Sequence, residues 1–137
     1  MFRRSLMLGM LSFLAMPLAL SGSAPASTAG DPETVMVTLH ARPGAAAALV
    51  EVVARHWDTA RRLNLVLESP HVTLRSDGAN DAQDIVEIFT WRDASVPDAA
   101  PAEIRSIWNE MNRLVEPRSG GPGLQIATMS LIGATAR

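Results

Sequence analysis

The chain has 137 residues, room for one domain, and carries 12 basic against 14 acidic side chains for a formal net charge of −2. No basic stripe offers a track for nucleic acid, so a nucleic-acid partner is not expected. The sequence contains no cysteine, which excludes disulfide staples, thiolate metal sites and a lipid-modified N-terminal cysteine.

The first residues read as a targeting segment. Arg3 and Arg4 form a positive start, residues 6–20 are mainly apolar, and small residues follow over 21–30. That is the three-part layout of a secretory signal. The apolar run of about 15 residues is shorter than the roughly 20 a bilayer-spanning helix needs. Ala24-Pro25-Ala26 satisfies the small-x-small rule, so cleavage is expected after Ala26. The expected organisation is a signal peptide over 1–26, a polar linker over 27–33 and a folded domain over 34–137. Localisation is then periplasmic or secreted, with no membrane contact after cleavage.

Residues 34–40 alternate as a strand, with Val35, Val37 and Leu39 on one side. Pro43 and Gly44 end it and open a helix over about 45–65. Leu49, Val52, Val53, Trp57, Ala60 and Leu63 recur there at the helical period, and Glu51, Arg55, Asp58 and Arg62 take the other face. The acid-before-base spacing of the Glu51–Arg55 and Asp58–Arg62 pairs supports the helix. After Ser69-Pro70 a second strand is expected over 71–75, then a polar loop to 84.

The third strand, 84–92, is apolar on both faces: Val86, Ile88 and Thr90 on one, Ile85, Phe89 and Trp91 on the other. Helices cover only one face of a two-layer domain, so a second copy of the chain is the expected cover for the other. Setting Val72, Leu74, Val86 and Ile88 toward the helices with Val35, Val37 and Leu39 places His40, His71 and Glu87 on the dimer side. Phe89 then lies in the dimer interface, where a charged substitution should break it. A second helix follows over 98–116, with Ile104, Ile107, Trp108, Met111, Leu114 and Val115 in step, and a last strand over 123–132.

Strand, helix, strand, strand, helix, strand is the split βαβ order. Over about 33–132 it resembles the antibiotic-biosynthesis-monooxygenase-like branch of the dimeric α+β barrel superfamily. The likeness rests on Leu39-His40-Ala41-Arg42-Pro43-Gly44 ahead of a long helix, and on Ile88-Phe89-Thr90-Trp91-Arg92-Asp93 ahead of a helix with Ile104 and Trp108. The resemblance implies a ferredoxin-like α+β fold: a four-stranded antiparallel sheet, two helices on one face, paired as a homodimer. It also implies oxygenation of planar aromatic compounds, phenols or quinols, with no bound cofactor. Haem-degrading relatives use a strand-one Asn, a strand-three Trp and a helix-two His. Trp91 matches the Trp, but the other two residues are missing, which disfavours haem.

The candidate catalytic residues are His40, His56 and Glu87, as proton-moving groups. Candidate ligand-binding residues are Trp57, Trp91 and Trp108, whose indoles suit a flat ligand and equally suit a packed core. Glu87 is either one half of an ion pair with Arg75 or a base. His56 faces either solvent or the pocket. His40, His71 and Glu87 on one surface would suit a divalent metal, make an acid–base set, or be polar groups at an interface or strand edge; no metal is expected. Two functions stay open: a cofactor-free monooxygenase, and a non-catalytic dimeric domain that binds a small apolar molecule or serves as a scaffold.

Overall fold

The computed structural model describes residues 30–77 and 82–133. The signal peptide, its cleavage site and linker residues 27–29 lie outside the described residues.

Alternating β-branched and aliphatic side chains make Glu33–His40 a strand, β1. Gly44, at φ +76°, turns the chain into α1, Ala46–Arg62. Leu49, Val52, Val53, His56, Trp57 and Ala60 form its buried stripe, and Arg61 and Arg62 set positive charge at the negative end of its dipole. The chain returns as β2 (Val66–Arg75) and β3 (Asp84–Trp91), crosses as α2 (Ala102–Leu114) and ends in β4 (Leu124–Met129). Exposed ion pairs join the helices, Arg55 to Glu110 and Arg62 to Glu103. At that exposure they align the helices more than they stabilise them.

The sheet order is β2-β3-β1-β4 and every neighbouring pair is antiparallel. Both helices lie on one face, which is the ferredoxin-like α+β arrangement expected. Leu39, Leu49, Ile85, Phe89 and Ile104 are fully buried between the layers. α2 starts later than its apolar pattern suggests. Asp93 accepts from both the Ser95 amide (2.8 Å) and the Ser95 hydroxyl (2.7 Å), holding a turn after β3. Pro101 then takes the N-cap position.

The register corrects the facing of β3. Val35 lies opposite Phe89, Val37 opposite Glu87, and Leu39 opposite Ile85. Directly opposed residues share a face, so Ile85, Glu87, Phe89 and Trp91 point to the helices. Val86 and Ile88 point outward, opposite Leu74 and Val72 on one side and Thr38 and Met36 on the other. With apolar residues on both of its faces, the strand's pattern does not fix its phase. The large rings of Phe89 and Trp91 fill the deeper, helix-covered side. Phe89 is therefore a core residue and not part of any sheet-face interface.

β2 is also longer than expected, running straight through Pro70. Its advance from Val66 to His71 is matched on β3 only by that from Trp91 to Phe89. The extra β2 residues bulge out of the ladder. Beyond the bulge the pairing sets His71 and Thr73 on the helix side and Val72 and Leu74 outside.

Candidate functional site

Glu87 sits at the centre of β3 on the helix-covered face, only 1% exposed. A lone carboxylate there would lose its hydration without return. Two histidines meet it instead of Arg75, which lies opposite Ile85 toward the exposed end of β2. From β2, His71 Nε2–H donates to Glu87 Oε1 at 3.2 Å. From α1, the Nδ1 of buried His56 stands 3.6 Å from Glu87 Oε2, long for a hydrogen bond, and has no other partner among the described residues.

Trp108 on α2 fixes the tautomer of His56. Its indole N–H donates to His56 Nε2 at 3.1 Å. Indole is a donor only, so Nε2 must present its lone pair and the ring hydrogen sits on Nδ1, toward Glu87. Trp57 packs flat on His71, ring centres 3.7 Å apart and planes 5° from parallel. Phe89 and Trp91 meet edge to face at 4.7 Å, and Trp91 meets Trp108 likewise at 6.2 Å.

Beside this chain of groups a cleft of about 520 Å³ opens between α2 and strands β1, β3 and β4. Glu87 and His56 contribute to its floor, and Phe89, Trp91, Trp108 and Met111 to its apolar walls. The mouth carries Glu33, Asp98, Asn112 and Thr128, with the Thr128 hydroxyl donating to Glu33 at 3.2 Å. Ile126 on β4 lines the same space and is 65% exposed. Behind the wall, Asp93 holds the β3–α2 turn. Its carboxyl lies below the ordinary value of 3.8 because the Ser95 hydroxyl, then the Ser95 and Gly30 amides, stabilise the charged form.

The structure thus brings His56, Glu87, Trp91 and Trp108 to one cleft. Trp57 stands behind it, against His71. His40 is on the outer face of the sheet, where its Nδ1 meets Asp84 at 2.7 Å and Gln125 approaches its Nε2 at 3.4 Å. Arg118 also donates to Asp84 and to the Ala41 carbonyl. His40 and Glu87 therefore cannot act on one atom, and the metal grouping of His40, His71 and Glu87 is undone by the register of β3. Among the described residues no group of three or more metal-ligating side chains has the geometry to hold an ion. Sequence reasoning put His71 and Glu87 on one face of the sheet but on the outer one, named Arg75 as the partner of Glu87, and missed Glu33, Asp98, Asn112 and Thr128 at the mouth. No local pattern marks these residues, because only the tertiary fold brings them to one opening.

No protein-family model matches the chain, and no curated protein does. Solved structures do. A variant of SnoaB, a cofactor-independent oxygenase from Streptomyces nogalater, superposes with a TM-score of 0.55 at 16% identity, over 74% of this chain and 93% of that one. An antibiotic biosynthesis monooxygenase gives 0.54 at 15% identity, over 73% and 98%. A dimeric ferredoxin-like protein of unknown function from Jannaschia sp. CCS1 gives 0.54 at 17%, over 74% and 100%. At these identities the likeness establishes the fold alone, a ferredoxin-like α+β domain of the kind seen in those structures.

Proposed function

We propose that this protein is an exported, homodimeric oxygenase that takes a small planar phenol or quinol into the cleft beside α2 and oxidises it with molecular oxygen and no bound cofactor. The observation that carries the reading is the Glu87–His56 pair at the floor of a cleft walled by Trp91 and Trp108. Flat aromatic walls suit a flat ligand, and a buried carboxylate is placed to draw a phenolic proton. A polycyclic phenolate is electron-rich enough to reduce oxygen by itself. At a ring CH₂ the balance is CH₂ + O₂ → C=O + H₂O, with the substrate supplying every electron.

Charge narrows the substrate. The cleft's ionisable lining comprises Glu33, Glu87 and Asp98 together with His56, with no arginine among them. A carboxylated or phosphorylated aromatic would meet repulsion there, so the ligand is neutral or cationic. The homodimer rests on the outer face of the sheet. Leu74 is 55% exposed there, and Val72 and Met129 are exposed beside half-buried Met36, Val86 and Ile88.

Oxygen uptake with hydroxylated anthrones and hydroquinones tests the reading. The wild type should consume one O₂ per substrate oxidised, and Glu87→Gln should slow the reaction by about 100-fold or more. Uptake unchanged in that variant would remove Glu87 from the chemistry. Tight binding with no uptake by the wild type would leave a ligand-binding domain in place of an oxygenase.

A further inference from the structure

We infer that His71 is the proton outlet of the cleft, connecting the buried Glu87–His56 pair to solvent on the far side of the sheet–helix layer. The inference deepens the reading above: an oxygenase that draws a phenolic proton inward must return it to water. The exchange test below needs no substrate and stands apart from that reading.

The geometry leaves little choice of route. Glu87 is 1% exposed, and its two oxygens face different histidines: Oε1 meets His71 and Oε2 meets His56. His56 is closed on its other nitrogen, because Nε2 accepts from Trp108 and indole has no proton-accepting atom to pass charge onward. The His56 branch therefore ends at Trp108. The His71 branch does not end inside the protein, since 25% of its side chain reaches solvent. His71 is not part of the cleft lining, and among the described residues Glu87 is the ionisable group that joins the cleft to the outlet.

The transfer balances as follows. A proton from a cleft phenol bonds to Glu87 and breaks its bond to the phenolic oxygen. Exchange with solvent, to which a quarter of the His71 side chain is open, converts its resting Nε2–H tautomer to Nδ1–H and frees Nε2. Glu87 then passes its proton to Nε2, and the imidazolium releases its Nδ1 proton to water, which restores the Nε2–H tautomer that donates to the ionised Glu87. The Trp57 stack holds the ring in line with Glu87 throughout. The charged groups around it are Glu87 from β3, His56 beyond it on α1, Arg61 of α1 over the opposite Trp57 ring system at 5.9 Å, and Glu68 of β2, which pairs with Arg61 at 3.2 Å. Arg61 is thereby neutralised by its own partner, and Glu87 dominates the ring's surroundings.

The sequence has three histidines, so histidine-labelled protein gives three sets of ring signals by NMR. The quantity to read is exchange of the buried His56 Nδ1–H with water. It should follow the titration of His71, tracked by that ring's own carbon shifts. In His71→Gln, whose amide can still donate to Glu87, it should fall by about tenfold or more, with the other spectra intact. Exchange that ignores the state of His71 in the wild type overturns the outlet, as does an unchanged rate in His71→Gln. The wild-type pH series decides the matter even if the variant folds poorly. A purely structural His71 would change stability and leave exchange in the folded state where it was.

Discussion

Replacing Trp108 with Phe removes one donor and little else from the heart of the site. The Nε1–H to His56 Nε2 contact at 3.1 Å disappears, while His56 stays buried and its Nδ1 already stands 3.6 Å from Glu87. A buried ring nitrogen left without a partner costs about 1–3 kcal/mol. The phenyl ring keeps part of the edge-to-face contact with Trp91, and losing the rest adds roughly 0.5 kcal/mol. Together the variant should be less stable by about 1.5–3.5 kcal/mol. With a urea slope of roughly 1–2 kcal/mol/M for a domain of this size, the midpoint should fall by about 0.8–3.5 M. Far-UV circular dichroism is the suitable probe, because the substitution alters tryptophan fluorescence directly. A midpoint shift below roughly 0.3 M, well under what the slope implies for an orphaned buried acceptor, would refute the claim that the indole N–H anchors the His56 tautomer.

Other outcomes can be measured on the same preparation. Asp93 is held below its ordinary 3.8 by Ser95 and Gly30, so its contribution to stability is present above that value and is lost as pH falls through the lower folded-state value. Thermal melts should therefore show wild type above Asp93→Asn at neutral pH, with the gap closing below about pH 4; a constant gap would discount the turn. Ile88→Glu puts a carboxylate on the outer face between Val72 and Met36. It should weaken self-association by at least about 30-fold, roughly 2 kcal/mol, on sizing at low concentration while the fold persists. A dimer as tight as wild type would move the interface elsewhere.

The order of elements was legible because period and length separate helices from strands in this chain. The stripe Leu49, Val52, Val53, Trp57 and Ala60 reads as one helix face and is buried as one. Trp91 and Trp108 were legible as aromatic candidates by position, and His56 and Glu87 by chemistry. Their meeting was not, for two physical reasons. β3 is apolar on both sides, so its phase was settled by how Phe89 and Trp91 pack rather than by alternation. β2 runs through Pro70 with extra residues, where Ser69-Pro70 reads as a strand breaker, and the bulge sets which residues beyond it stand beside Glu87. The partner assigned to Glu87 shifted accordingly from Arg75 to His71. The start of α2 was hidden because Asp98 and Pro101 both suit a helix entrance, and the Asp93–Ser95 turn consumes the intervening chain.

The irregular run of β2 bears on solubility. β2 is an edge of the sheet, and a straight edge strand is a template on which other chains can polymerise. Here the ladder is broken between Val66 and His71, and Pro70 has no N–H to offer an incoming strand. Neither half of the strand presents a long uninterrupted row of donors and acceptors. The chain is thereby guarded against fibrous stacking along that border.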